Sequence, residues 1–105
     1  MKSRYLIAIA ASLSFSATAF AADGETLFKQ SNCAMCHAVD STSLGPSLKA
    51  IVAKHKNGDG AQAQLEKKVR NGGSGTFGSM PMPATPKSVS DESIKAMVTW
   101  ILSQK

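Results

Sequence analysis

Two cysteines and a histidine lie within five residues of the chain, as Cys33-x-x-Cys36-His37. Thiols at this spacing can each add to one vinyl group of the same porphyrin, which forms two thioether bonds. The histidine that follows can supply an imidazole nitrogen to the iron as its proximal ligand. The chain has only 2 cysteines, so attachment would use both. The motif therefore predicts one haem c, bound covalently through Cys33 and Cys36, with His37 on the iron.

Three other kinds of site use some of the same residues. A thioredoxin-like dithiol should sit near a βαβ pattern, and no strand-rich segment is visible. A structural zinc site needs four ligands, whereas the only other histidine, His55, lies in a lysine-rich stretch. A structural disulfide would not need His37. Haem attachment is favoured because the motif agrees with an export signal at the N-terminus.

The first residues have the pattern of a secretory signal peptide. A positively charged start is followed by a short, mostly apolar run at 5–15 and by the small-x-small sequence Ala19-Phe20-Ala21. We predict a cleaved signal peptide at 1–21 and a single haem-binding domain at 22–105, with an uncleaved membrane anchor as the alternative. The mature protein is then expected in the periplasm of a bacterium, not embedded in the membrane.

The size and the net charge of the chain limit the classes of function that it can have. Removing 21 residues from 105 leaves 84, which is one small domain of the kind that usually needs a disulfide, a metal or a cofactor. The net charge of +5 includes Lys2 and Arg4; without them ten basic and seven acidic residues leave +3. This excess is scattered and lacks interleaved aromatic residues, so nucleic-acid binding is disfavoured.

Hydrophobic periodicity and capping residues predict four helices. They are expected at residues 23–31, 47–55, 61–71 and 90–103. Asp23 and Ser90 are suitable N-caps for the first and last. The last helix has an apolar stripe expected to dock on the first helix and on the haem rim: Ile94, Met97, Val98, Ile101 and Leu102.

Charged residues near the second and third helices are predicted to face solvent. They are Lys67, Lys68 and Arg70 on the third helix and His55 at the end of the second. An alternative for His55 is a place near a haem propionate, where its titration would make the reduction potential vary with pH.

Two irregular segments are candidates for positioning the iron. At the Gly45-Pro46 turn a backbone carbonyl, assigned to Pro46, is expected to accept the ring N–H of His37 and so fix its orientation. The segment 72–89 is too long and too rich in glycine and proline to be a mere connection.

That second segment offers two methionines as the sixth iron ligand, the thioether expected of an electron-transfer haem. Met82 is flanked by Pro81 and Pro83, which restrict its backbone. Met80 is the rival, and spacing alone barely separates the two. In a third interpretation both methionines only pack against the porphyrin.

These motifs together resemble a known family. With Cys33-x-x-Cys36-His37, Gly45-Pro46, Met80-Pro81-Met82-Pro83 and the C-terminal sequence 100–105, the chain resembles a class I cytochrome c. It is most similar to the small bacterial cytochrome c-551 (c8) type. The resemblance implies an all-α fold of about four helices wrapped around one covalently bound haem. It also implies His37 and Met82 as axial ligands, which decides between Met82 and Met80.

The resemblance further implies a soluble periplasmic one-electron carrier, not an enzyme. Its expected partners are periplasmic or membrane-bound redox proteins, from respiratory-chain donors to a terminal reductase or oxidase, and we expect a monomer. The alternatives are a haem sensor or peroxidase-like protein with an open sixth position, and a haem subunit of a dehydrogenase complex. Two departures from the family pattern are Phe77, where tryptophan is frequent, and a longer segment at 84–88.

Overall fold

The computed structural model describes residues 23–55 and 58–104. The predicted signal peptide and its cleavage site lie outside the described residues. The described chain is all-α, and its helices are α1 (Gly24–Gln30), α2 (Leu48–His55), α3 (Ala61–Asn71) and α4 (Asp91–Leu102). A short 3-10 turn, Cys33–Met35, follows α1. The four predicted helices are thus confirmed, with ends that differ from the prediction by no more than one residue.

Side-chain caps explain where three of the helices begin. The hydroxyl of Ser90 accepts the N–H of Ser93 at 3.1 Å, and the hydroxyl of Ser47 accepts the N–H of Ala50 at 3.1 Å. Asp23 is the N-cap of α1. Each bond satisfies one of the N–H groups that the first turn of a helix leaves without a partner.

Helix α4 forms the centre of the core and packs against α1 and α3. The rings of Phe28 and Trp100 have centroids 5.1 Å apart. Gly24 approaches α4 so closely that a Cβ there would lie 2.7 Å from the Cβ of Trp100. The burial of the predicted stripe on α4 is confirmed, whereas its docking on the haem rim stays a prediction. Four of its members join the buried core: Phe28, Leu48, Leu65, Ile94, Met97, Val98 and Ile101.

The segment between α3 and α4 is irregular, as predicted, and one antiparallel bridge joins Gly73 to Met82. Among the described helices, none has the length and apolar character needed to cross a membrane.

Candidate functional site

A cavity of about 630 Å³ lies between the loop that begins at Cys36, α2, α3 and the irregular segment. Its lining includes Cys36, His37, residues 42–46 and residues 80–83. The fold therefore brings His37, Pro46, Met80 and Met82 to one cavity, although they are up to 45 positions apart in the sequence (82 − 37). No described residue of α4 lines it, so α4 supports the site from the core and does not form its wall.

The cysteine pair is held by a tight turn. Its N–H groups at Cys36 and His37 donate to the carbonyl of Cys33, at 3.2 and 3.0 Å. The chain enters this turn through Asn32, whose φ of 62° is in the left-handed region that asparagine tolerates. Neither cysteine forms a disulfide. Burial raises the pKa of the Cys33 thiol above its ordinary value, because water no longer stabilises a thiolate there.

The imidazole of His37 is oriented by a backbone carbonyl. Its Nδ1 lies 2.8 Å from the carbonyl oxygen of Pro46. A carbonyl can only accept, so Nδ1 carries the proton, and Nε2 keeps a lone pair that can bind a metal. Pro46 is the acceptor expected from the Gly45-Pro46 turn. A hydrogen bond of this kind fixes the ring and makes it a better donor to a metal.

Gly45 is required for the close approach of the His37 ring to the turn, a role that was not predicted from the sequence. A Cβ on Gly45 would lie 2.7 Å from Cε1 of His37 and 3.0 Å from its Nδ1. Separations under about 3.0 Å are not found for real side chains, so any other residue would displace the imidazole or the turn. The sequence indicates a turn at this glycine, but its proximity to His37 becomes visible only in three dimensions.

The backbone of Met82 is fixed on both sides. Its N–H donates to the carbonyl of Gly73 at 2.8 Å, and the N–H of Gly73 donates to the carbonyl of Met82 at 2.9 Å. The Met82 side chain is half-buried, whereas Met80 is 63% exposed. Within the described chain Met80 has no backbone hydrogen bond of this kind.

One wall of the cavity carries polar groups from α2 and α3, namely His55, Gln64 and Lys68. The prediction of solvent exposure is wrong for His55 and Lys68, since both are half-buried. The physical reason is that the irregular segment folds back over α3. The Nζ of Lys68 lies 3.1 Å from the place that a Cβ on Gly73 would take.

Arg70 is also not mainly solvated, since its side chain is 24% exposed and donates to several backbone carbonyls.

The irregular segment is also attached to α2. The Nζ of Lys54 lies 5.0 Å from the centre of the Phe77 ring and donates to the carbonyl of Thr76 at 3.1 Å. Phe77 remains 45% exposed. This cation–π contact joins α2 to the irregular segment at Phe77, which is one of the residues that line the cavity.

The donor set fits haem c. The Cys36 thiol, an imidazole with an available Nε2 and two thioethers line one mostly apolar cavity. The second free thiol, Cys33, is three residues from Cys36, at the required spacing, and is not itself a lining residue. Soft thioether and imidazole donors suit iron, and an apolar wall suits a porphyrin.

Comparison with known proteins identifies the family. The profile of the cytochrome c family matches residues 21–105. Cytochrome c-551 of Pseudomonas aeruginosa is 42% identical over 87 residues, which are 83% of this chain and 82% of that protein. Cytochrome c-552 of Nitrosomonas europaea is 41% identical over 105 residues, the full length of both. The crystal structure of Nitrosomonas europaea cytochrome c552 superposes with a TM-score of 0.73 at 42% identity, and covers 77% of this chain and 99% of that chain.

These relatives confirm the resemblance and the all-α cytochrome c fold expected from the sequence. With its Cys33-x-x-Cys36-His37 motif, the chain belongs to the class I cytochromes c of the c-551 type, monohaem electron carriers that hold haem c covalently and are not enzymes.

Proposed function

We propose that the protein is a soluble periplasmic carrier of single electrons, with Cys33 and Cys36 in the two thioether bonds and His37 and Met82 as the axial iron ligands. The bound haem supplies one iron that alternates between the ferrous and ferric states. With both axial positions filled by side chains, no substrate can bind the metal.

The observation that carries this proposal is that hydrogen bonds within the protein already fix both ligand residues, without any contribution from a metal. The Pro46 carbonyl orients the His37 ring at 2.8 Å, and the Gly73 backbone holds Met82 through two hydrogen bonds of 2.8 and 2.9 Å. Ligands held in place need little rearrangement when the charge of the site changes, which favours fast electron transfer. Met80, mostly exposed and without that support, is the weaker candidate.

Other residues that line the cavity would influence the reduction potential of the bound haem. Apolar lining residues such as Ile51 and Leu65 keep water from the cavity, and a methionine ligand together with low polarity raises the reduction potential. Lys68, at the polar wall, offers a positive charge to the haem carboxylates.

The cellular setting is inferred from the N-terminus. Residues 1–21 are proposed to be a cleaved signal peptide that directs the domain 22–105 to the periplasm. The electron donors would then be periplasmic or membrane-bound proteins of a respiratory chain, and the acceptor a terminal reductase or oxidase. We expect a monomer.

Absorption spectra of three purified holoproteins test the ligand assignment: the wild type, Met82→Ala and the matched control Met80→Ala. Sulfur ligation gives the ferric protein a weak far-red band. We expect this band in the wild type and in Met80→Ala, and its loss in Met82→Ala. The opposite result for the two variants would assign Met80 to the iron. A high-spin wild type without the band would favour a sensor or peroxidase-like protein.

A further inference from the structure

The guanidinium of Arg70, in the last turn of α3, donates to three carbonyls of the segment that leads into α4 and to the carboxylate of the first residue of α4. Its Nη1 lies 3.5 Å from the carbonyl of Thr85 and 3.2 Å from that of Pro86. Its Nη2 lies 2.7 Å from the carbonyl of Val89 and 2.7 Å from Oδ1 of Asp91. The Arg70 side chain is only 24% exposed, and its contacts with Thr85 and Val89 are partly buried, whereas those with Pro86 and Asp91 lie at the surface.

The three carbonyls lie in an irregular segment, where no helix or sheet provides hydrogen-bond donors for them. The Pro86 carbonyl, at the surface, also accepts the N–H of Val89 at 3.0 Å, whereas Thr85 and Val89 are half-buried. Half-buried carbonyls without a partner are costly, and a planar guanidinium with five N–H donors can serve several acceptors at once. Thr85 adds two bonds to the same turn of α3: its Oγ1 and its N–H donate to the carbonyl of Val69, at 2.6 and 3.2 Å. The end of α3 therefore holds residues 85–89 in one conformation.

Met82 lies between two such attachments. On one side Gly73, two residues beyond the end of α3, pairs with its backbone. On the other side only Pro83 and Ala84 separate it from the contacts at Thr85. Because the linking chain is so short, and because a proline restricts it, the contacts at Thr85 and beyond limit where the Met82 sulfur can go.

We propose that Arg70 is a positioning residue for Met82, and that its contacts with residues 85–89 determine how firmly the sulfur stays on the iron. The inference rests on the assignment of Met82 proposed above. Without the guanidinium, residues 83–89 can move while the four helices stay folded, and sulfur ligation is lost before the protein unfolds.

The test compares Arg70→Lys with Asp91→Asn in the holoprotein. Lysine keeps the charge but cannot reach the same set of acceptors, because it is a single point donor without the fork. Asp91→Asn removes the ion pair with a 94% exposed carboxylate and leaves the carbonyl contacts in place. Thr85→Val is a second test variant, since it loses the 2.6 Å bond to Val69 and keeps the side-chain size.

Two readouts are followed on heating and on raising the pH: the far-red band for sulfur ligation, and far-UV circular dichroism for the helices. Under conditions where the helices are intact, we expect the fraction of molecules without the sulfur ligand to be about tenfold larger in Arg70→Lys than in the wild type. Thr85→Val should change in the same direction. Asp91→Asn should change by less than about twofold, as exposed ion pairs contribute little.

The inference would be overturned if, in Arg70→Lys, the midpoint for loss of the far-red band and the midpoint for loss of the helices were no further apart than in the wild type. An Asp91→Asn variant as impaired as Arg70→Lys would overturn it as well, since the ion pair and not the carbonyl contacts would then matter. A wild type without the far-red band would remove the ligand assignment and this inference together. A normal band in the wild type with unchanged variants would remove this inference alone.

Discussion

Replacement of Gly72 by alanine should destabilise the protein far more than the same change at Gly60. Both glycines have positive φ, but they differ in ψ and in surroundings. Gly60, at φ 83° and ψ 12°, is in the left-handed region with nothing within 4 Å of a Cβ. Gly72, at φ 67° and ψ −156°, is in a region that is essentially restricted to glycine.

Crowding adds to the backbone strain at Gly72. A Cβ there would lie 2.8 Å from the N of Ala84 and 2.8 Å from the C of Pro83, and would also meet the carbonyl oxygen of Met82. These are backbone atoms and cannot rotate away. We expect about 1–2 kcal/mol for Gly60→Ala. For Gly72→Ala, strain of about 1–3 kcal/mol and overpacking of about 1–3 kcal/mol add to about 2–6 kcal/mol, with a middle value of about 4 kcal/mol.

Thermal unfolding of the two holoproteins measures the difference. In a domain of this size each kcal/mol shifts Tm by about 4–8 °C, so a difference of about 2.5 kcal/mol between the middle values should make Gly72→Ala melt about 10–20 °C below Gly60→Ala. The far-red band should weaken in Gly72→Ala only, because the displaced group is the Met82 backbone. Equal Tm values for the two variants would refute the reasoning that Gly72 is fixed by its approach to Met82.

Three further substitutions test other parts of the site. Gly45→Ala should push His37 from its place and destabilise the holoprotein by about 1–3 kcal/mol, with a change in the low-spin spectrum that a turn defect alone would not give. Lys54→Met should cost about 0.5–1 kcal/mol in denaturant unfolding, and a double-mutant cycle with Phe77→Leu should assign most of that to the cation–π pair. Phe28→Ala, which removes a buried ring, should cost about 3–5 kcal/mol in the same assay.

Local features of the sequence were enough to predict the helices and the haem motif. Caps such as Ser90 and the apolar stripe of α4 depend on residues three or four apart, a distance that a pattern can represent. The Cys33-x-x-Cys36-His37 spacing is equally local. The length and composition of segment 72–89 also indicated a functional loop, because such loops are rare in small domains.

The features that escaped prediction depend on residues distant in the sequence. Gly45 approaches a ring eight residues away, and Arg70 serves carbonyls 15 to 19 residues further on. On a helix, Arg70 has the same appearance as a solvated charge, and only the path of the following segment covers it. The prediction for His55 was wrong for the same reason, since His55 lies in a cavity wall that is formed by several elements.

Carbon monoxide binding by the reduced protein tests the central claim most directly, because this ligand needs a vacant axial position on the iron. We predict no binding by the native ferrous protein and ready binding by Met82→Ala, read from the shift of the main haem absorption band. Binding by the native protein at neutral pH would contradict the account. It would show that the sixth position is open, and that electron transfer with both axial ligands in place is not what this site does.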